Sequence, residues 1–263
     1  MSVIRRNNII SSGNPSGPAM LFSHGFGCDQ NMWRFVAPAF EADHHVILFD
    51  HVGAGRSDAS AYNTAKYSRL EGYARDVVQI GRELGLKDAI FVGHSVSAMF
   101  GILAAAEAPE LFKSLVLVSP SPSYIDDGDY IGGFSRPQID ELLESLDSNH
   151  LGWSMTMAPV IMGNGDRPEL SGELANSFCR TDPRIAREFA KATFLSDYRH
   201  ALGGVSVPSL ILQCSEDVIA PVSVGEYMHA RMPRSSLVIM KATGHCPNLS
   251  APEETIAAMK DFL

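Results

Sequence analysis

The sequence predicts an α/β fold in which a mostly parallel β-sheet is flanked by helices. Short apolar runs alternate with amphipathic segments, as happens when crossover helices cover both faces of a parallel sheet. The apolar runs that we expect as core strands are residues 19–23, 45–49, 89–92, 114–118, 209–213 and 237–240. The expected helices of the core span residues 70–84, 98–108, 222–232 and 252–263. Residues 3–11 are expected to pair antiparallel at the sheet edge.

The alternation of strands and helices stops between Ser119 and Ser196. This stretch contains no convincing strand, and residues 138–146 and 184–190 show helical periodicity. Aromatic and methionine side chains are frequent in it, which suits a segment that covers a pocket. We therefore expect a four-helix cap inserted into an α/β core, with the whole chain as one structural unit. The expected boundaries are residues 1–120 and 199–263 for the core and 121–198 for the cap.

Composition and charge argue against several classes of protein. The 263 residues carry a net charge of −9 without a basic cluster, which argues against binding to nucleic acid or to an anionic membrane surface. No stretch approaches the roughly 20 apolar residues of a membrane span. Residues 1–8 are not followed by the apolar segment of a signal peptide, so a cytoplasmic location is expected.

No metal or cofactor is expected from the sequence. The four cysteines lack metal-ligand spacing and fit reduced thiols; they are Cys28, Cys179, Cys214 and Cys246. Residues 50–58 are rich in glycine but lack the Gly-x-Gly-x-x-Gly spacing and the later acid of a dinucleotide site. A structural loop at the carboxyl edge of the sheet is the better interpretation of that segment.

Ser95 is the strongest candidate for a catalytic nucleophile. It lies in Gly93-His94-Ser95-Val96-Ser97, directly after an expected strand and before an expected helix. In a nucleophile elbow, the residues two before and two after the serine must be small, or the strand and the helix would collide. Gly93 and Ser97 satisfy this rule, although a second glycine is more usual than a serine.

A serine nucleophile needs a histidine base, which in turn is oriented by an acid, and both are expected after later strands. Asp217 directly follows the strand at 209–213 and is the favoured acid. Glu216 is its local competitor, and Asp126 or Asp127 is a weaker candidate. His245 follows the last strand and is the expected base.

Two backbone amides are expected to bind the oxyanion that forms when the nucleophile attacks a carbonyl group. One is the amide of Val96, the residue after the nucleophile. The other is the amide of Phe26, in the glycine-containing loop of residues 24–27 that follows the strand at 19–23. His24 is expected to support this loop rather than to take part in the chemistry.

These motifs resemble the RsbQ-type α/β-hydrolases, which include a bacterial stress-response regulator and the plant karrikin and strigolactone receptors. The resemblance covers essentially the whole chain, because segments of the expected cap share it. Ser97 is similar to the elbow of the plant receptors, whereas residues 217–221 are similar to the bacterial regulator. The segments that carry the resemblance are 24–27, 50–58, 93–99, 119–122, 132–134, 152–153, 166–169, 178–179, 181–183, 194–199, 207–214 and 244–247.

The resemblance implies an α/β-hydrolase fold with a V-shaped helical cap over a closed, apolar pocket. Ser95 and His245 would lie in that pocket, and the triad and the oxyanion amides would be its only convergent polar groups. The other lining residues that the resemblance implies are Phe26, Phe134, Leu142, Trp153, Met157, Phe194, Val218 and Ile219.

The expected activity is slow serine hydrolysis of a small hydrophobic ester or lactone. The resemblance further implies a role in stress or small-molecule signalling, with a PAS-domain, PP2C-type phosphatase as the partner. Two alternatives stay open: a stand-alone metabolic carboxylesterase, and a ligand-sensing module whose hydrolysis is incidental to partner binding. A haloperoxidase-like or carbon–carbon hydrolase-like reaction is a weaker third alternative, because a fold does not determine a reaction.

Overall fold

Seven strands form one sheet in the computed structural model, which describes residues 2–263. Their order across the sheet is β1-β3-β2-β4-β5-β6-β7, and every pair is parallel except β1 with β3. The predicted mostly parallel sheet is therefore confirmed. The strands are β1 (Ile10–Gly13), β2 (Ala19–Ser23), β3 (His45–Phe49), β4 (Ala89–His94), β5 (Phe112–Val118), β6 (Ser209–Glu216) and β7 (Ser235–Thr243).

The edge strand corrects one detail of the prediction for residues 3–11. Only β1, Ile10–Gly13, pairs antiparallel with β3, while Val3–Arg6 forms a short helix, α1. The side chain of Ser2 caps this helix by accepting a hydrogen bond from the Ile4 amide at 3.3 Å. A single helical turn leaves too few residues for its periodicity to be distinguished from that of a strand.

Helices flank both faces of the sheet. Alternate residues of β5 divide between two apolar cores: Leu115 faces the core that contains α3, α4 and α9, and Val116 faces the core that contains α11. The remaining helices of the α/β part are α2 (Thr64–Tyr67), α3 (Leu70–Glu83), α4 (Val96–Glu107), α9 (Val222–Arg231), α10 (Pro247–Ser250) and α11 (Pro252–Phe262). Short 3-10 helices span Gln30–Trp33, Ala37–Phe40, Ala59–Ala61, Pro109–Leu111 and Arg199–Gly204.

Four helices lie between β5 and β6 and form the cap. They are α5 (Arg136–Ser148), α6 (His150–Met162), α7 (Pro168–Arg180) and α8 (Pro183–Phe194). Ser135 begins α5 with a capping box that includes Gln138, and Asp182 caps α8 through its side chain. Helix α6 packs against α7, and α5 packs against α8. The exact boundaries 1–120, 121–198 and 199–263 stay a prediction.

The carboxyl ends of neighbouring strands lie level with one another. Ser23 is in register with Phe49 on one side and with Gly93 on the other, and His94 is in register with Val118. The loops that follow β2, β3, β4 and β5 therefore meet at one edge of the sheet, beneath the cap. Ligands of open α/β sheets bind at this edge.

Within residues 2–263, no helix combines the length and the apolar composition needed to cross a bilayer.

We expect the replacement Leu115→Ala to lower the free energy of unfolding by about 2–5 kcal/mol, because it leaves a cavity where a fully buried side chain of an inner strand packs. Urea denaturation of the purified protein measures the change. The matched control is Leu151→Ala in α6, where the leucine is 60% exposed, with an expected change within about 0.5 kcal/mol. Equal losses in the two variants would contradict the assignment of β5 to the core.

Candidate active site

Ser95 lies at a strained turn between β4 and α4. Its φ is 57° and its ψ is −126°, a left-handed conformation that costs a non-glycine residue about 1–3 kcal/mol. The Ser95 amide donates a hydrogen bond to the Val118 carbonyl at 2.8 Å, which ties the turn to β5. A Cβ atom at Gly93 would lie 2.6 Å from the backbone oxygen of Ser97. The approach of strand and helix is therefore as close as the sequence pattern predicts.

The structure brings Ser95, His245 and Asp217 into one hydrogen-bonded chain. The Ser95 hydroxyl lies 2.7 Å from His245 Nε2, and His245 Nδ1 lies 2.7 Å from Asp217 Oδ2. All three residues are buried, with 5–7% of their surface exposed. In this arrangement the imidazole accepts the serine proton at one nitrogen and donates to the carboxylate at the other.

Backbone contacts hold the acid and the base in place. Asp217 Oδ1 accepts hydrogen bonds from the amides of Ile219, at 2.8 Å, and Ala220, at 3.2 Å, which leaves Oδ2 for the histidine. The His245 amide donates to the Ile161 carbonyl in α6 at 2.9 Å. The loop that carries the base is therefore anchored on a helix of the cap.

The other acids considered from the sequence lie elsewhere. Asp126 accepts hydrogen bonds from the amides of Gly132 and Gly133, at 2.8 and 3.0 Å, and so shapes a loop. Asp127 forms an ion pair with Arg199 at 2.7 Å. Glu216 is exposed at the end of β6. Among the four acids, only Asp217 contacts the imidazole.

The two amides predicted for an oxyanion hole flank the serine and have no partner of their own. In the described part of the chain, neither the Phe26 amide nor the Val96 amide donates a hydrogen bond. A Cβ atom at Gly25 would lie 3.5 Å from Ser95 Cβ and 2.5 Å from His94 Nδ1, so the Phe26 loop lies against the elbow. Val96 begins α4, where the helix dipole favours negative charge.

Ser97 connects the elbow to the loop that carries Phe26. Its hydroxyl donates a hydrogen bond to the His24 carbonyl and lies 3.0 Å from His51 Nε2. The same His51 nitrogen donates to the His24 carbonyl at 2.9 Å, and the His51 amide donates to His24 Nε2 at 3.1 Å. The serine that replaces the more usual glycine thus joins the two halves of the predicted oxyanion site.

Three buried imidazoles beneath the site are held neutral. Burial lowers the pKa of His24 to about 4 and keeps the pKa of His51 well below its ordinary value. Burial, with a smaller contribution from the neighbouring His245, lowers the pKa of His94 to about 3. Since His94 Nε2 donates to the His245 carbonyl at 2.7 Å, this imidazole also supports the loop of the base.

A small cavity of about 30 Å³ adjoins the serine and the histidine. Phe26, Phe194 and Ile219, three of the predicted pocket residues, line it. The other lining residues, besides Ser95 and His245, are Cys28, His94, Tyr124, Ile161, Leu174, Phe178, Thr193 and Cys246. A volume of this size holds about one water molecule, so the side chains of the cap close tightly over the serine.

Four predicted pocket residues lie outside this cavity, in a groove of about 510 Å³ between α5 and α6. They are Phe134, Leu142, Trp153 and Met157. Trp153 is 4% exposed, and its ring lies 6.1 Å from the ring of Phe26 and 5.5 Å from that of Phe178. The indole therefore separates the outer groove from the cavity at Ser95, so the single pocket that the resemblance implies is divided in two.

The prediction that Val218 lines the pocket is wrong, because this residue lines neither the cavity at Ser95 nor the groove between α5 and α6. It is 55% exposed and borders a surface cleft on the far side of the Asp217 loop. Asp217 and Ile219 both point inward, and the residue between them is directed to solvent.

A larger surface groove of about 830 Å³ passes beside α7 and contains neither the nucleophile nor the base. Two of its arginines already have partners: Arg180 pairs with Asp29, and Arg34 pairs with Glu173. We therefore locate the candidate site at Ser95 rather than in this groove.

Tyr124 and Thr193 are polar residues of the cavity that sequence reasoning missed. The expectation that the triad and the oxyanion amides are its only convergent polar groups is therefore incomplete. Burial raises the pKa of the Tyr124 phenol, and the neighbouring Ser95 side chain acts in the opposite direction. Thr193 directly precedes the predicted pocket residue Phe194, which was the one available signal.

Within residues 2–263, no group of three or more histidine, cysteine, aspartate or glutamate side chains is arranged to hold a metal ion.

The chain belongs to the α/β-hydrolase family, whose model matches residues 20–258. It is 40% identical to the karrikin insensitive 2 receptor CA of Petunia hybrida, over 95% of this chain and 92% of that protein. It is 36% identical to the strigolactone esterase D14 of Arabidopsis thaliana, over 91% of this chain and 90% of that protein. The resemblance to the plant receptors seen in the motifs is confirmed.

A solved structure of a hydrolase from Oleispira antarctica superimposes with a TM-score of 0.96 and is 42% identical. The match covers 99% of this chain and 95% of that one, so it includes the cap as well as the sheet. The predicted α/β-hydrolase fold is therefore confirmed over the full length.

The buried imidazoles predict a loss of stability in mild acid. An unfolded histidine takes up a proton near pH 6.5, whereas His24 does so only near pH 4 and His94 near pH 3 in the folded protein. The unfolded state thus binds more protons in this range, so the free energy of unfolding falls as the pH drops below 6.5. Urea denaturation at pH 7.5 and pH 5.0 measures this fall.

The variant His94→Gln keeps a side-chain donor and cannot be protonated. Its loss of stability between pH 7.5 and pH 5.0 is expected to be smaller than that of the wild type by about 2 kcal/mol. Replacing the exposed His200 by Gln serves as the control and should leave the pH dependence unchanged. An identical slope in His94→Gln and the wild type would show that His94 is not held neutral.

Proposed function

We propose that the chain is a serine hydrolase that cleaves small hydrophobic esters or lactones. The observation that carries the proposal is the chain of two 2.7 Å hydrogen bonds from Ser95 through His245 to Asp217. The strained backbone of Ser95 and the two unpartnered amides beside it support the same reaction. The esterase and receptor names of the relatives are consistent with this substrate class.

In the proposed mechanism, Ser95 Oγ attacks the carbonyl carbon of the substrate while His245 Nε2 takes the hydroxyl proton. Asp217 stabilises the resulting imidazolium, and the amides of Phe26 and Val96 bind the oxyanion. The tetrahedral intermediate expels the alcohol, which receives its proton from His245, and an acyl ester remains on Ser95. His245 then deprotonates a water molecule that hydrolyses this ester and releases the acid.

The small volume beneath the cap supports a compact substrate and slow turnover. The cavity at Ser95 encloses about 30 Å³, so an ester reaches the serine only when cap side chains such as Trp153 move. The outer groove between α5 and α6 is the proposed approach, because it lies directly behind that indole. We expect turnover well below the roughly 10 per second that is typical of enzymes.

We further propose that hydrolysis serves small-molecule signalling in the cytoplasm, with a PAS-domain, PP2C-type phosphatase as the protein partner. The receptor names of relatives that share the cap support this role. A stand-alone metabolic carboxylesterase is the competing function, and it would require a substrate that is turned over rapidly. A ligand-sensing module in which hydrolysis is incidental would bind its partner without any turnover.

We expect Ser95→Ala to lower the turnover of p-nitrophenyl butyrate by at least about 10³-fold, because the nucleophile is lost. Asp217→Asn should cause a comparable loss, because a neutral amide does not orient the His245 imidazole as the carboxylate does and does not stabilise its positive charge. The control is Ser148→Ala, which removes an exposed hydroxyl of α5 and should leave the rate unchanged. Undiminished turnover in Ser95→Ala would remove this serine from the mechanism.

The signalling role predicts that the protein binds its ligand tightly but hydrolyses it slowly. A ligand of this protein should raise its melting temperature strongly while turnover stays below about one per minute, far under the typical rate. Affinity purification of the tagged protein from its own cells should also retain the phosphatase. Rapid turnover of a metabolic ester, together with the absence of the phosphatase, would instead favour the metabolic esterase.

A further inference from the structure

Two residues that line the cavity at Ser95 have a buried polar atom without a partner among the described residues, His94 at Nδ1 and Thr193 at its hydroxyl, and only the second is a hydroxyl group. Thr193, near the end of α8, is 1% exposed and lines this cavity. Within residues 2–263, its hydroxyl oxygen is the one buried serine or threonine oxygen left without a hydrogen bond. Buried polar groups in folded proteins are nearly always bonded, so an exception needs an explanation.

Two other buried hydroxyls on helices of this chain form a hydrogen bond within their own helix. Ser154 donates to the His150 carbonyl one turn earlier, at 2.7 Å, and Thr255 donates to the Ala251 carbonyl at 3.0 Å. Thr193 makes no such bond to its own helix. A valine has nearly the same shape and would fill this apolar position without leaving a polar atom unpaired.

We propose that Thr193 is a specificity-determining residue, whose hydroxyl forms a hydrogen bond with a second oxygen atom of the substrate. Thr193 and the reacting Ser95 border the same small cavity, so a compact ester bound to one contacts the other. The substrate class narrows to esters or lactones that carry an additional ether, carbonyl or hydroxyl oxygen near the acyl carbon. This inference rests on the proposed hydrolase activity and names its substrate class.

The preference for a second oxygen follows from the cost of an unmet hydrogen bond. An ester with a purely hydrocarbon acyl chain leaves the Thr193 hydroxyl buried and unpaired. An ester with an additional oxygen near the acyl carbon forms a hydrogen bond with it. Sites with a buried polar group discriminate against analogues that lack the matching atom. Phe26, Phe194 and Ile219 form the apolar wall, and so they cannot make this distinction.

The test uses two esters of nearly the same shape, p-nitrophenyl methoxyacetate and p-nitrophenyl butyrate. Methoxyacetate has an ether oxygen where butyrate has a methylene group, and the difference in their intrinsic reactivity cancels when variants are compared. We expect Thr193→Val to lower kcat/KM for the methoxyacetate by about tenfold relative to the butyrate. Thr193→Ser should restore the wild-type ratio.

Thermal stability separates this role from a structural one. Thr193→Val should raise the melting temperature by about 2–4 °C, because an unpaired hydroxyl is removed. The matched control is Thr255→Val, which loses a satisfied hydrogen bond. That control should lower the melting temperature and leave the ratio of the two esters unchanged.

The inference is overturned if Thr193→Val changes both esters equally, or if Thr193→Ser fails to restore the ratio, while Ser95-dependent turnover persists. A second readout needs no turnover: Ser95→Ala protein should bind ethyl methoxyacetate more tightly than ethyl butyrate, and adding Thr193→Val should abolish the difference. If the wild type hydrolyses neither p-nitrophenyl ester, the proposed activity fails, and this binding difference alone decides the role of Thr193.

Discussion

The candidate site depends on how closely the end of β4 approaches the start of α4. A side chain at Gly93 would overlap the Ser97 backbone, and Ser95 adopts a positive φ to make the turn. Because β4 is buried throughout and α4 packs against it, the surrounding structure holds this unfavourable conformation. The turn presents the serine hydroxyl to His245 and places the predicted oxyanion donor Val96 at the start of α4.

A layer of neutral polar groups beneath the turn connects the elbow to a neighbouring loop. Ser97, His24 and His51 join the elbow to the loop that carries Phe26, so both predicted oxyanion donors belong to one rigid unit. His24 Nε2 can accept the hydrogen bond from the His51 amide only while this imidazole is uncharged, and burial keeps it so. The rigidity of the site is therefore coupled to acid sensitivity of the fold, since protonation would break this network.

The cap contributes to the chemistry as well as to the enclosure. Helix α6 provides the Ile161 carbonyl that holds His245 and also the Trp153 indole that separates the cavity from the outer groove. A displacement of this helix that admits a ligand would thus also reach the base. Such a connection would be consistent with the proposed signalling role.

The sequence alone determined where the core strands lie along the chain, the elbow at Ser95 and the positions of Asp217 and His245 at strand ends, because apolar periodicity and small residues act over short stretches of chain. It misplaced the edge strand, since Val3–Arg6 is a single helical turn with little periodicity. The docking of the cap on the core decided what the sequence could not show. It divided the pocket at Trp153 and left the Thr193 hydroxyl unpaired, because both depend on contacts between residues far apart in the chain. The exposure of Val218 was likewise seen only in the tertiary structure.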